Sequence, residues 1–195
     1  MATTSRSRSQ SARTSDNKTS FLVGALAAGA AAGIAAVVAR KGAAQAPTYL
    51  AGEWDEALKA EHDAVRAIFD ALEESGDSAK IKRTALLAKL KYALTKHAIE
   101  EENVIYPALR QSGRQDEADE LNREHGYVKQ SLFELSNMPA DSPEFLAKVR
   151  RFRADIEDHM REEEDKLFPQ LRAQLDDEHN RDLTRTMNRE GFKVA

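Results

Sequence analysis

Two short segments of the chain carry a histidine followed four residues later by a glutamate. His97 precedes Glu101 in the first segment, and His159 precedes Glu163 in the second. Residues four apart on an α-helix lie on the same face, so each segment presents an imidazole and a carboxylate in one direction. This pair of ligand types suits iron, zinc or manganese. The two segments therefore predict metal chemistry.

Each segment belongs to a longer internal repeat. A second histidine lies upstream of each one: His62 is 35 residues before His97, and His125 is 34 residues before His159. Both upstream histidines follow a glutamate, and both downstream segments end in an aromatic residue and a proline. The residues shared in this way are Glu61 and Glu124, Tyr106 and Phe168, and Pro107 and Pro169. Each copy fits one helical hairpin, so the chain contains two hairpins.

The elements that must position these side chains are helices. Apolar residues recur at three- and four-residue spacings, without a convincing alternating strand pattern, and predict an all-α protein. The predicted helices cover about 53–74, 79–111, 115–136 and 142–175, and a short terminal helix covers about 177–189. Ser142 and Pro143 have the residue types of a helix start, and Pro107 and Pro169 are expected to kink their helices. Four helices of this kind predict an up-down four-helix bundle.

One histidine falls on the apolar stripe of each helix, and the glutamates of the two segments fall on two of these stripes. Their side chains should therefore meet in the interior of the bundle. The predicted ligands are His62, His97, Glu101, His125, His159 and Glu163. Two buried carboxylates are costly and repel each other, and a dication removes both problems. For a single helix, a buried histidine and a glutamate paired with a nearby base would explain the pattern equally well. Agreement among four stripes favours a metal.

Six ligands exceed the number used by one open tetrahedral site, and two carboxylates that bridge two ions explain them better. The neighbouring acids are assigned by their spacing. Glu100 and Glu162 lie three residues after the histidines and are expected to support the ligands or to replace one of them. Glu102 and Glu164 are expected to be solvated.

This pattern resembles the hemerythrin-like, His-His-Glu cation-binding domain family over about residues 53–175. The resemblance implies a bundle around two iron ions (Fe²⁺ or Fe³⁺) bridged by carboxylates and an oxo or hydroxo group. Zinc or manganese remains an alternative. Oxygen-carrying hemerythrins add a fifth histidine where this chain has Lys129, and they usually take a bridging aspartate where it has Glu164. Both departures disfavour reversible oxygen carriage.

The function implied is binding of O₂ or NO, or a response to iron or redox state. An enzyme that decomposes peroxide or NO, and a structural or storage metal site, remain alternatives. Tyr106 is expected to close the core beside the site and to hydrogen-bond near a bound ligand. The absence of cysteine excludes disulfides and Cys-ligated metals. A net charge of −4 and the lack of a basic stripe argue against a nucleic-acid partner.

The N-terminal part of the chain has a different composition. Residues 1–20 are rich in Ser, Thr and Arg and are expected to be disordered. Residues 21–39 form an uncharged run of 19 within a predicted apolar helix over 21–41, long enough to anchor the domain in a membrane. Gly29 and Gly33 would let two such helices form a homodimer. A cleaved signal peptide, a surface-bound helix and a cytoplasmic protein are the alternatives. Residues 42–52 are expected to be a linker, and 176–195 a C-terminal helix and tail.

Overall fold

The computed structural model describes residue 1 and residues 36–46, 48–76 and 79–195, and no β-strand occurs in these ranges. The α-helices from residue 54 onward are α1 (Trp54–Glu73), α2 (Lys80–Glu100), α3 (Tyr106–Gln111), α4 (Gln115–Ser136), α5 (Pro143–Glu162), α6 (Phe168–Gln174) and α7 (Asp177–Val194). A π-helical turn at Glu101–Ile105 joins α2 to α3, and a second at Glu163–Leu167 joins α5 to α6.

Two helices begin with side-chain caps. The Ser142 hydroxyl accepts a hydrogen bond from the Glu144 amide at 3.2 Å, and Pro143 occupies the first position of α5, as the sequence predicts. Asp176 caps α7 by accepting from the His179 amide at 2.9 Å. Gly113 ends the turn before α4 with a φ of 86°, a conformation that costs a residue with a side chain more than it costs glycine.

Four long helical segments form the bundle. Helix α1 packs against α2 and α5, and α4 packs against α5 and α2. The connections between α3 and α4 and between α4 and α5 are short, which makes sequential helices antiparallel neighbours. The predicted all-α, hemerythrin-like helical bundle is confirmed. Helix α7 packs across α1, α2 and the first π turn, and it runs to Val194, beyond the predicted end at Arg189.

The core consists of two apolar clusters. One includes Trp54, Leu58, Ile105, Leu109, Leu121, Phe168, Leu171 and Met187. The other includes Val65, Phe69, Leu72, Leu90, Leu135, Phe145, Phe152 and Ile156. The four predicted ligand histidines fall between these clusters along their helices. A hydrophobic layer therefore covers the site from each end of the bundle and limits access of water.

The π turns are the feature that the sequence did not predict. Each begins at a predicted bridging glutamate, and the Tyr106 and Phe168 amides donate to the carbonyls of Glu101 and Glu163, five residues back. A π turn places residue i+5 above residue i, so each aromatic ring lies above its glutamate. Pro107 and Pro169 follow directly. Since proline crowds the carbonyl four residues back, the wider turn accommodates it where the sequence predicted a kink.

Most of the predicted N-terminal features lie outside the described residues. These are the disordered tail, the apolar run as far as residue 35, and the proposed contact through Gly29 and Gly33. Among the helices that the structure does describe, none is both long and apolar enough for a bilayer. Residues 42–46 and 48–51, which lie in the predicted linker 42–52, are helical. Gln45 and Thr48 explain this difference, because their buried side chains bind groups on the bundle.

Candidate metal centre

The structure brings the six predicted ligands together in one buried cluster. Every one of them has less than a tenth of its surface exposed: His62, His97, Glu101, His125, His159 and Glu163. All four histidines turn Nε2 toward the glutamates, although they come from four different helices. The cluster confirms the geometric expectation drawn from the repeat, and assignment of these side chains as metal ligands remains a proposal.

Each glutamate faces one histidine from each hairpin. Glu101 Oε2 lies 3.1 Å from Nε2 of His97 and 3.3 Å from Nε2 of His125. Glu163 Oε2 lies 3.4 Å from Nε2 of His159 and 3.5 Å from Nε2 of His62. Both carboxylates therefore sit between the two halves of the repeat, where a bridging ligand has to be.

The donor atoms divide into two groups that share Glu101. One group is His62, His97, Glu101 and Glu163, and the other is Glu101, His125 and His159; the donor atoms within each group lie within 4.8 Å of one another. Three buried atoms facing this space have no hydrogen-bond partner: Glu101 Oε1, His159 Nε2 and Glu163 Oε2. Orphaned buried acceptors are rare and need a partner. Two metal ions fit this donor set.

A second ring of carboxylates holds the outer nitrogen of every histidine. The pairs are His62 Nδ1 with Glu164 (2.7 Å), His97 Nδ1 with Glu61 (3.0 Å), His125 Nδ1 with Glu102 (3.0 Å) and His159 Nδ1 with Glu124 (2.7 Å). A carboxylate on Nδ1 fixes the ring and leaves Nε2 as the inward donor, which is the usual support of a metal-bound histidine.

These supporting acids differ from the predicted ones. Glu102 and Glu164 were expected to be solvated, yet they cross to a histidine of the other hairpin. Glu100 was expected to support or replace a ligand. Because it lies one residue before Glu101, its side chain points about 100° away from that of Glu101 around the axis of α2, toward α7. Glu162 instead accepts a hydrogen bond from Lys166 at the surface, 3.0 Å away. The repeat carried a usable signal, since Glu61 and Glu124 occupy matching positions before the upstream histidines.

In the metal-free cluster, two of the buried or supporting carboxyl groups have strongly shifted pKa values, in opposite directions. Burial and the nearby charge of Glu101 raise the pKa of Glu163 to about 7. Burial opposes ionisation of Glu164 as well, but hydrogen bonds from His62 and Arg66 lower its pKa to about 2. The centre therefore holds a proton on one carboxyl near neutral pH, and a cation placed between the carboxylates would replace it.

Tyr106 gives the centre one hydroxyl on one side only. Its Oη donates to Glu163 Oε1 at 2.8 Å, and it lies 3.2 Å from Glu101 Oε2 and 3.1 Å from His125 Nε2. Burial and the two carboxylates raise its pKa, so it keeps its proton. In the second hairpin the matching residue is Phe168, whose ring stacks on His62. The sequence predicted a hydrogen bond near a bound ligand, and the structure shows the hydroxyl in contact with both glutamates of the cluster.

Lys129, which replaces the fifth histidine of oxygen carriers, turns outward from the centre. Its side chain is 61% exposed, and its Nζ lies 2.7 Å from Oε1 of Glu102. The same oxygen of Glu102 pairs with His125 Nδ1. Lys129 therefore contacts a supporting carboxylate and supplies no donor to the centre.

Four histidines around two shared carboxylates in a helical bundle define a cation-binding bundle. The sequence profile of the Hemerythrin HHE cation binding domain matches residues 55–171. This chain belongs to that family. The predicted resemblance is therefore confirmed.

Two curated relatives match parts of the chain, and one of them is described as hemerythrin-like. A protein described as a DNA nickase, from a Nostoc species, is 31% identical over 123 residues, covering 63% of this chain and 34% of the relative. An uncharacterised hemerythrin-like protein of Schizosaccharomyces pombe is 26% identical over 102 residues, half of each chain. The chain thus spans half or less of these curated relatives.

A solved structure supports the fold. The crystal structure of a hemerythrin HHE cation-binding domain-containing protein from Mycobacterium kansasii matches with a TM-score of 0.64 and 23% identity. The match covers 73% of this chain and 87% of that one. At this identity the likeness concerns the fold alone.

Proposed function

We propose that this chain is a non-haem di-iron protein that reacts with a small ligand such as O₂, NO or peroxide. The observation that supports it best is the pair of donor groups sharing Glu101. One ion would bind His62 and His97, the other His125 and His159, and Glu101 and Glu163 would bridge them. Imidazole and carboxylate ligands suit iron, and more than four donors disfavour a closed tetrahedral zinc site.

The bound ions would supply redox chemistry and open positions for the small ligand. The residues of the chain position the ligands and restrict water at the centre. The four outer carboxylates hold the imidazoles in position, and the two apolar clusters limit access of water. Tyr106 Oη donates a hydrogen bond to Glu163 Oε1 at 2.8 Å and can donate one to a small ligand bound in the centre.

A cavity of about 460 Å³ supports access for a small ligand. It opens between α4 and α5 and is lined by His159, Glu124, Asp155 and Asp158, among others. With Lys129 turned outward, the chain also lacks the extra histidine of oxygen carriers. We therefore propose a redox or stress response in place of oxygen transport.

Decomposition of peroxide is a second candidate, and the position of Tyr106 is the observation that favours it. Breaking an O–O bond builds negative charge on the leaving oxygen, and a buried hydroxyl at the centre can stabilise that charge with a hydrogen bond. Tyr106→Phe tests this role. Peroxide turnover should fall while iron content stays the same, whereas unchanged turnover would remove the tyrosine from the reaction.

We propose that residues 21–39 attach the domain to a membrane, with a homodimer formed through Gly29 and Gly33. The uncharged run and its flanking basic residues support this proposal. Fractionation of the full-length chain tests it. Recovery in the membrane fraction is expected, and a fully soluble intact chain would favour the cytoplasmic alternative. We propose no nucleic-acid partner, because a net charge of −4 disfavours binding to anionic nucleic acid.

The proposed reactivity is tested by stopped-flow absorption after the reduced, iron-loaded protein is mixed with O₂. Rapid oxidation is expected, followed by spectral changes with peroxide or NO. A reversible oxygen adduct that lasts for hours would contradict the redox role and indicate oxygen carriage.

A further inference from the structure

A buried lysine lies beside the metal centre in only one of the two hairpins. Lys96 is 6% exposed, and its Nζ lies 2.8 and 2.9 Å from the two carboxylate oxygens of Glu100. The same ammonium contacts Glu61 Oε1, and Oε2 of Glu61 pairs with His97 Nδ1 at 3.0 Å. One continuous chain of polar contacts therefore runs from His97 through Glu61 and Lys96 to Glu100.

The chain of contacts continues into the residues that cover this side of the bundle. The Gln45 amide donates to Glu100 Oε1 at 3.0 Å and to Asn188 Oδ1 on α7 at 3.3 Å. The Thr48 hydroxyl donates to Glu61 Oε1 at 2.5 Å and accepts from Lys96 Nζ at 3.1 Å. Gln45 and Thr48 are thus both linked to the group that holds His97.

Helix α7 approaches Glu100 closely at Gly191, where the present positions of Glu100 and Gln45 leave no room for a side chain. A Cβ on Gly191 would lie 1.8 Å from Glu100 Oε1, and 2.7 and 2.8 Å from the amide atoms of Gln45. Any side chain there must displace Glu100 or α7. The close approach gives a way to disturb the outer end of the polar chain without touching a residue of the metal centre.

The second hairpin has no equivalent. Asp158 stands at the position that matches Lys96 and lines the open cavity, and Glu162, which matches Glu100, pairs with Lys166 at the surface. The side of the centre at His159 therefore opens toward solvent through the cavity. The side at His97 is covered by the segment around Gln45 and by α7, and polar contacts link it to them. A buried ion pair costs desolvation and is weak evidence for stability alone, so a second role is reasonable.

We propose that Lys96 is a positioning residue that couples His97 to the docking of residues 41–46 and 48–51 and of α7. Displacement of that cover moves Glu100 and Lys96, and Glu61 then holds His97 differently. Such coupling is reciprocal, so a change at His97 also alters the docking of the cover. The consequence of this coupling rests on the proposed function. Metal binding at the centre and docking of the segment that follows the apolar run would each affect the other.

Ring ¹⁵N resonances of the histidines in the full-length chain test the coupling, first metal-free and then with Zn²⁺, which is diamagnetic. Gly191→Ala is expected to shift His97 and to leave His159 unchanged, and to weaken Zn²⁺ binding about tenfold, the lower end for disturbed supporting groups. Gly126→Ala is the matched control: its Cβ meets nothing within 4 Å, although it adjoins His125. It should leave His97 unchanged.

The double variant separates coupling from a general structural effect. In a Lys96→Met background, Gly191→Ala should shift His97 less than in the wild type, because the ammonium link is cut and only weaker links such as the Thr48 contact with Glu61 remain. Gln45→Met removes the amide donated to Glu100 without a clash and serves if Gly191→Ala does not fold. An unchanged His97 in both single variants, or an equal shift without Lys96, would overturn the coupling. If Zn²⁺ does not bind the wild-type chain, the proposed function fails, and the metal-free spectra still decide the coupling.

Discussion

Replacing Glu163 with glutamine should have opposite effects on the metal-free and metal-loaded protein. Burial and the charge of Glu101 raise the pKa of Glu163 from an ordinary 4.5 to about 7. In the folded chain this carboxyl keeps its proton up to about pH 7, while the unfolded chain releases it above about pH 4.5. The contribution of Glu163 to the stability of the metal-free protein must therefore fall as pH rises through this window.

The size of the effect follows from the same two pKa values. Above about pH 7 the raised pKa costs the folded metal-free protein about 3 kcal/mol, and at about pH 5 it costs less than about 1 kcal/mol. Glu163→Gln removes this cost, and its amide can still accept the hydrogen bond of Tyr106. We expect the metal-free variant to be more stable than the wild type by about 3 kcal/mol at about pH 8.

With metal present the order should reverse. A ligand at one thousand times its dissociation constant adds about 4.1 kcal/mol to the wild type, which exceeds the advantage of about 3 kcal/mol that the variant has without metal. A variant that lacks a bridging carboxylate should lose most of this gain. Urea unfolding followed by circular dichroism measures both states at the two pH values. Glu162→Gln is the control, since its side chain is at the surface and should change stability by less than about 0.5 kcal/mol. A metal-free Glu163→Gln protein less stable than wild type at about pH 8 would refute the argument.

Three further predictions concern the ligands, their support and the helix cap. His97→Ala and His159→Ala should each lower the bound iron measured by elemental analysis, whereas the exposed His179→Ala should not. Glu124→Gln should weaken metal binding about 10- to 100-fold in a chelator competition, because His159 Nδ1 loses its carboxylate. Ser142→Ala should lower the free energy of unfolding by about 1 kcal/mol and leave the metal content unchanged.

The helices and the inward-facing side chains could be predicted from the sequence because both follow a period. Spacings of three and four define the buried stripe of each helix, and the repeat shows which stripes carry histidine. That information is local, and it is sufficient to place His62 and Glu101 in one interior. The proline positions were also visible, but a proline restricts a helix without specifying whether the helix kinks or widens into a π turn.

The supporting contacts could not be predicted because they depend on how helices face each other. Glu102 and Glu164 look like solvated residues when the spacing along one helix is considered, yet each crosses to the other hairpin. The packing of residues 42–46 and 48–51 against the bundle was also not predicted. The sequence of this segment resembles a linker, and only the packed bundle shows that Gln45 and Thr48 have buried partners.

The central claim is that two iron ions share Glu101 and Glu163. Elemental analysis of natively expressed protein, combined with Mössbauer spectroscopy of the same ⁵⁷Fe-enriched sample, tests it most directly. The account predicts about two iron ions per chain, magnetically coupled to each other, and loss of the coupled signal in Glu101→Gln. A single stoichiometric zinc ion per chain, or iron present only as an isolated ion, would contradict it.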